Sequence, residues 1–86
     1  MSKTISARER KRRQNERSSD NWQELPDGGR EYYRWRRMPG ADGGASLTVK
    51  IVNANEETLE VWHYAWAGGR DPRTEPPDHL DRKFPP

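Results

Sequence analysis

The sequence predicts a mainly β fold: a small antiparallel meander of three to four strands between a basic N-terminal arm and a Pro-rich C-terminal tail. Residues 30–38, 46–53 and 58–66 alternate in polarity with period two and are rich in aromatic and β-branched side chains. Turn-forming segments containing Gly, Asn or Asp separate these runs. The helix-forming segment 4–17 has no apolar stripe that would dock it on a core.

Each element has its own signal. The strongest strand, 58–66, contains neither Gly nor Pro, and 22–25 is a candidate edge strand that ends at Pro26 and an Asp-Gly-Gly turn. Residues 39–45 predict a flexible loop, and 54–57 predict a hairpin turn. Thr4 or Ser6 is expected to cap the arm helix. We therefore divide the chain into a basic arm and linker (1–21), a β-sheet domain (22–67) and a flexible tail (68–86).

Hairpin pairing predicts which side chains share a face of the sheet, because side chains alternate along a strand. We expect Val52 opposite Thr58 and Lys50 opposite Glu60, with Met38 opposite Ser46. One face would then hold Tyr33, Trp35, Leu47, Val49, Ile51, Leu59, Val61, His63 and Ala65 and form the core. The other would hold Tyr32, Arg34, Arg36, Thr48, Lys50, Val52, Glu60, Trp62, Tyr64 and Trp66.

The second of these faces mixes cations with aromatic rings, which suits base stacking and phosphate binding. The alternative interpretation is that Arg and Lys stems cover aromatic rings on the sheet surface with no ligand at all.

The composition limits the size of the core. With 86 residues, 29% hydrophobic and 35% charged, the chain has room for one small domain. We therefore expect a partner or a second copy to cover one face, as in a homo-oligomer or a subunit of a complex. The absence of Cys excludes disulfides, thiolate metal sites and a Cys nucleophile. No apolar run approaches the ~18 residues of a membrane span, so we expect a cytoplasmic protein with no membrane contact.

The N-terminal arm concentrates positive charge. Residues 1–17 hold seven Lys or Arg against two Glu, a balance of +5, which leaves −3 on residues 18–86 of a chain with net charge +2. The run 7–14 resembles the arginine-rich peptides that bind RNA hairpins, and equally the basic regions of leucine-zipper and helix-loop-helix DNA binders. No zipper heptads follow, which favours RNA. The alternative is a solvated, disordered terminus.

Catalysis and metal binding have weak signals. His63 and His79 are the only imidazoles, and with Arg34, Arg36 and Glu60 they have the composition of a metal-independent ribonuclease toxin. Because no spacing fixes such a geometry, we expect a structural His63, no catalytic residues and no enzyme. The cluster of Asp78, His79 and Asp81 lies in a Pro-rich segment without a rigid frame, so we expect no metal and no cofactor.

We therefore predict a small, non-catalytic nucleic-acid-binding protein with an accessory or regulatory role, and RNA rather than DNA as its ligand. The predicted binding residues are Arg8, Arg10, Lys11, Arg12, Arg13, Arg17, Arg34, Arg36, Lys50, Trp62, Tyr64 and Trp66. The alternative function is a protein-interaction module that docks its aromatic face on a larger protein, as a small assembly subunit, inhibitor or phage-type regulator. Salt dependence separates the two, since phosphate binding weakens steeply with salt.

Overall fold

The computed structural model describes residues 5–37 and 44–86 and contains one helix followed by five strands. The elements are α1 (Ala7–Arg17), β1 (Asn21–Glu24), β2 (Arg30–Arg37), β3 (Ala45–Val52), β4 (Thr58–Trp66) and β5 (His79–Phe84). The strands form one sheet in the order β1-β2-β3-β4-β5, and every neighbouring pair is antiparallel. The predicted antiparallel meander is confirmed, with one strand more than expected. That strand, β5, lies within the segment that we expected to be a flexible tail.

Three predictions fall wholly or mostly outside the described residues. They are the loop at 39–45, the pairing of Met38, and Thr4 as a helix cap. Ser6 is the N-cap of α1, and its hydroxyl accepts a hydrogen bond from the backbone N–H of Glu9 at 3.1 Å.

The pairing of β2 with β3 differs from the predicted one by two residues. Trp35 lies opposite Leu47 and Tyr33 opposite Val49, whereas we expected Trp35 opposite Val49. A shift of two residues changes the partners but keeps every side chain on its face, because the side-chain period of a strand is two. The faces of β2 and β3 are therefore as predicted.

The pairing of β3 with β4 contradicts the prediction after its first pair. Val52 lies opposite Thr58 as expected, but the register then shifts, so that Ile51 pairs with Glu60 and Val49 with Trp62. Leu59 is thus the extra residue of a β-bulge. One extra residue moves all later side chains of β4 to the opposite face. The predicted faces of β4 are wrong for this reason.

The sheet has two unlike faces. The face that α1 partly covers, here called the helix-side face, carries Trp22, Tyr32, Arg34, Arg36, Thr48, Lys50, Val52, Val61 and His63. The opposite side, here called the open face, carries Tyr33, Trp35, Leu47, Val49, Ile51, Trp62, Tyr64, Trp66 and Leu80. Tyr32 and Val52 are the most buried large side chains, at 2% and 1% exposure. These two lie under the helix, at the hairpin end of β3 and β4, whereas the other two buried apolar residues, Val49 and Trp66, lie on the open face.

Candidate nucleic-acid interface

A buried carboxylate holds α1 on the sheet. Glu56, in the turn between β3 and β4, is 2% exposed and accepts hydrogen bonds from Arg12 Nε at 2.9 Å and Asn15 Nδ2 at 3.0 Å. The hydroxyl of Tyr32 on β2 donates to the same carboxylate, and Asn15 Oδ1 accepts from Lys50 Nζ at 2.8 Å. Our inference that nothing docks this helix, made from its missing apolar stripe, is wrong. Hydrogen bonds and charge dock it instead.

Glu56 has an unusual backbone for its residue type. Its φ is +64°, in the left-handed region that Gly and Asn normally occupy. The turn holds this conformation, because Glu56 N donates to Asn53 O at 2.9 Å and Asn53 N donates to Glu57 O at 3.0 Å. We attribute the choice of Glu over Gly to its side chain, which reaches three partners on α1 and β2. Burial would raise the pKa of Glu56, but the hydrogen bonds from those partners hold it below its ordinary value.

A second charged cluster fastens the C-terminal half of the helix. Arg30 on β2 is 8% exposed and pairs with Glu16 of α1 at 2.7 Å and with Glu24 of β1 at 2.7 Å. Its guanidinium also lies 5.4 Å from the ring centroid of Trp22. Burial alone would lower the pKa of Arg30, yet these acceptors raise it above its ordinary value. Arg30 therefore stays charged and links α1, β1 and β2.

Docking divides the basic residues of α1 into two sets. Arg8, which donates to the carbonyl of Ala54, and Arg12 lie on the docked side together with Asn15. At 100° per residue, Arg10, Arg13 and Arg17 fall on the opposite side, and all three are exposed. Lys11 is exposed beside the groove between helix and sheet. The exposed triplet of Arg10, Arg13 and Arg17, here called the arginine stripe, therefore faces solvent as a rigid row.

The two acidic residues of the helix lie on one flank, beside one edge of this stripe. Glu9 and Glu16 both fall on one flank of α1, about 100° from the docked side, and Glu16 is paired with Arg30. Glu9 lies four residues before Arg13 and Glu16 three residues after it, so both carboxylates border the stripe at Arg13. In the described ranges neither of them forms an ion pair with an arginine of the stripe. The charge of the stripe is therefore available to an anionic ligand.

The structure does not bring the predicted binding residues together on one face. Arg34 and Arg36 are exposed on the helix-side face. Lys50 lies on the same face, but its ammonium group donates a hydrogen bond to Asn15 of α1. Trp62 and Tyr64 lie on the open face, on the far side of the sheet from α1. The mixed aromatic and cationic face that we expected is therefore split by the sheet itself.

Trp66 belongs to the structural core of the open face. It is 7% exposed, its ring lies 5.7 Å from that of Trp35 and 6.3 Å from that of Tyr64, and its Nε1 donates to Glu75 O at 2.8 Å. Trp35 is 45% exposed and presents the outer surface of this cluster. Because the indole N–H of Trp66 already donates to Glu75, we infer that Trp66 has a structural role and holds the ring of Trp35 in place by stacking on it.

Several important residues escaped the sequence reasoning. Arg37 and Arg82 are the cations that share the open face with the aromatic residues, because Arg37 lies opposite Ala45 and Arg82 opposite Trp62. Alternation along β2 puts Arg37 on the face of Trp35, the bulge at Leu59 brings Trp62 and Tyr64 to the same face, and the pairing of β5 with β4 adds Arg82. Glu56 and Asn15 were also missed, and the one signal for Glu56 is its place in a hairpin turn where Gly or Asn is usual.

A cleft lies at the end of β2 and β3. It has a volume of about 860 Å³, and the described residues that line it include Trp35, Arg36, Arg37, Arg70 and Arg73. Arg70 already pairs with Glu75 and Asp78 at 3.2 and 3.3 Å. Asp71 also lines the cleft, so its described lining is positive on balance and adds charge to this end of the sheet.

The two histidines do meet on the helix-side face. The rings of His63 and His79 lie 6.4 Å apart, and Asp81 is opposite His63 across β4 and β5. Hydrogen bonding and charge from Lys83, which lies 2.7 Å away, hold the pKa of Asp81 below its ordinary value. Among residues 5–37 and 44–86, no group of three or more His, Asp or Glu has a geometry that would hold a metal ion.

Comparisons with known proteins did not identify a similar protein. No protein-family model, curated protein sequence or solved structure matches this chain. Within the described ranges, no helix is long and apolar enough to cross a membrane.

Proposed function

We propose that this protein binds nucleic acid, and RNA in preference to duplex DNA, through the arginine stripe of α1. The observation that carries the proposal is the division of the helix. Arg8 and Arg12 fix it to the sheet, and this docking leaves Arg10, Arg13 and Arg17 in a row facing solvent. Binding through such a row costs less conformational entropy than binding through a disordered arm, because the helix is already formed and oriented.

The dimensions of the arginine stripe suit a phosphate backbone. From Arg10 to Arg17 the helix rises about 10 Å, at 1.5 Å per residue. A nucleic-acid strand carries a phosphate about every 3.4 Å along its axis. Three guanidinium groups can therefore each pair with a different phosphate, and Arg matches phosphate oxygens with two parallel hydrogen bonds.

The docked helix limits the kind of recognition. Only one side of α1 faces outward, so it cannot be surrounded by a groove as an isolated basic helix can. Contacts to phosphates position a protein but do not read bases. We therefore expect weak sequence dependence. The preference for RNA rests on the resemblance of the arm to arginine-rich RNA-binding peptides, and no second helix accompanies α1 in the described chain.

The remaining predicted binding residues have different places in this proposal. Arg34 and Arg36 share the sheet face that α1 covers in part, so they extend the cationic surface beyond the stripe. Trp62 and Tyr64 lie behind the sheet, where a ligand on the stripe does not reach them. Base stacking on these two rings is not part of the proposal.

The test compares two variants with the same loss of charge. The first replaces Arg10, Arg13 and Arg17 with Gln, and the control replaces Arg73, Arg82 and Lys83, which are exposed and far along the chain from the helix. A fluorescently labelled RNA hairpin and a DNA duplex of equal length serve as probes in anisotropy titrations at several salt concentrations. Circular dichroism checks that both variants keep the fold.

We expect the stripe variant alone to lose affinity for RNA. Losing three phosphate contacts should reduce the slope of log Kobs against log salt by about 2 to 3, at roughly 0.7–0.9 per contact. Equal losses in the two variants would show that only net charge matters and would overturn the proposal. Tighter binding of the wild type to duplex DNA than to RNA would overturn the RNA preference.

A further inference from the structure

We propose that the open face is a homodimer interface, in which a second copy of the chain packs face to face across a two-fold axis. This inference does not depend on nucleic-acid binding, since the open face and the arginine stripe lie on opposite sides of the sheet. A second copy fits this face better than a larger protein does, because the charges of the face are complementary to themselves.

The open face is a continuous apolar surface that crosses four strands. Trp35, Leu47, Tyr64 and Leu80 form one row across β2 to β5, and Tyr33, Val49 and Trp62 form the next. Trp35 is 45% exposed and Leu80 is 52% exposed. Val49 is buried between its neighbours, and the other side chains of the two rows are half-buried. No described helix or strand covers these rows, because α1 lies on the other face. A partly exposed apolar surface of this extent is typical of an interaction site.

Apart from Arg82, which lies beside Trp62 in the middle of the face, the charged residues of the open face differ in sign between its two ends. Arg37 lies at the end of β2, with Arg73 lining the same cleft. Glu31 and Glu60 lie at the hairpin end, on either side of Ile51. Arg37 lies six positions along β2 from Glu31, a distance of about 20 Å. In the described ranges, neither Arg37 nor Glu60 forms an ion pair.

This polarity makes the face complementary to itself. A two-fold axis that lies in the interface, perpendicular to the strands and between the two apolar rows, reverses the strand direction in the second copy. Arg37 of one copy then meets Glu31 of the other, and Leu47 meets Val49. Each such contact occurs twice, as in any isologous interface. Two sheets packed in this way lie about 10 Å apart, the usual spacing of a β-sandwich.

The hydrogen bond at Glu31 is compatible with such a contact. The hydroxyl of Tyr33 donates to Glu31 Oε2 at 2.6 Å, and this bond, with burial, raises the pKa of Tyr33 to about 12. The second carboxylate oxygen is left to accept from an arginine. Glu31 and Glu60 also disfavour a nucleic acid on this face, because they repel phosphates. A partner on this face needs negative charge opposite Arg37 and positive charge opposite Glu31. A second copy of the protein in the reverse orientation provides both.

Reversing the charges of Arg37 and Glu31 tests the proposed two-fold axis. We expect wild-type protein to dimerise in sedimentation experiments at micromolar concentrations. Arg37→Glu or Glu31→Arg alone places like charges together twice and should weaken dimerisation by at least about tenfold. The double variant with both changes should restore it, because the pairs are then only exchanged. Arg36→Glu is the matched control, since it makes the same change one residue away on the other face.

A wild-type protein that stays monomeric at high micromolar concentration would overturn the proposal, and so would a double variant no better than the single ones. Because Glu31→Arg also removes the bond from Tyr33, circular dichroism and Arg37→Glu, which leaves that bond in place, separate misfolding from a lost contact. RNA affinity, measured on the Arg37 and Glu31 variants, should not follow the oligomeric state. Failure of one proposal therefore leaves the other intact.

Discussion

Tyr32 donates its hydroxyl hydrogen bond to the carboxylate of Glu56, with distances of 3.0 and 2.8 Å to the two oxygens. The bond joins the second strand to the turn between the third and fourth, and both side chains are 2% exposed. Since Arg12 and Asn15 bind the same carboxylate, one buried acid connects the sheet to the helix. In this protein a polar cluster does what an apolar helix stripe usually does.

Replacing Glu56 should destabilise the protein. Glu56→Gln removes the charge that compensates Arg12 and weakens the bonds from Asn15 and Tyr32, so we expect a loss of about 2–3 kcal/mol in the free energy of unfolding. Glu57→Gln, at the exposed neighbouring position, should change it by less than about 0.5 kcal/mol. Urea denaturation measures both. A similar small effect at the two positions would contradict the role of Glu56.

The same cluster predicts loss of stability in acid. The pKa of Glu56 is lower in the folded protein than in the unfolded chain, so its contribution is fully present above the unfolded pKa, near 4.3. It is lost as the pH falls from there toward the folded pKa. Urea midpoints between neutral pH and pH 3 should fall more steeply in wild type than in Glu56→Gln. Parallel pH profiles would show that other carboxylates dominate.

Two adjacent arginines of α1 should separate docking from binding. Arg12→Gln leaves Glu56 with an unmatched charge and should lower the melting temperature. Arg13→Gln, one residue later on the exposed stripe, should leave the melting temperature within about 2 °C. Its RNA affinity should fall instead, and the salt slope should decrease by roughly 0.7–0.9. Melting curves and anisotropy on both variants check this, and exchanged results would invert our assignment of the helix faces.

Trp66 and Trp35 should differ in their contribution to stability. Trp66→Ala removes a 7% exposed ring and the hydrogen bond to Glu75, so we expect a loss of about 3–5 kcal/mol, enough to unfold much of the population. Trp35→Ala removes a ring that is 45% exposed and should cost clearly less. Thermal melts followed by circular dichroism compare the two. If Trp35→Ala lowers the melting temperature more than Trp66→Ala does, then Trp35 and not Trp66 is the buried ring of this cluster.

Trp62 and Val61 test the reversal of β4. Trp62 lies opposite Val49 on the open face, and Val61 lies opposite Lys50 on the helix-side face. Trp62→Ala should weaken dimerisation and leave RNA affinity per protomer unchanged, within about twofold. Val61→Ala should leave the sedimentation of the dimer unchanged while lowering the melting temperature modestly. Loss of RNA affinity in Trp62→Ala would return this ring to the binding surface that we first predicted.

The sequence alone predicted where the three central strands, β2 to β4, are. Strict alternation with no Gly or Pro located β4 with its observed bounds, and β2 and β3 within a residue among the described positions. Strand β5 was missed because its only large apolar residues are Leu80 and Phe84, too few for an alternating pattern. Its pairing with β4 stabilises it, and this pairing leaves no signal in the local sequence.

What only the tertiary structure decided is which side chains meet. The bulge at Leu59 reversed the faces of β4, and alternation cannot reveal it because both registers give a regular pattern on each strand. The docking of α1 was hidden for a related reason. Its decisive partner, Glu56, lies 44 residues from Arg12, and a polar contact leaves no periodic signal in either segment. Local patterns encode secondary structure, whereas register and buried charge pairs depend on distant residues brought together by folding.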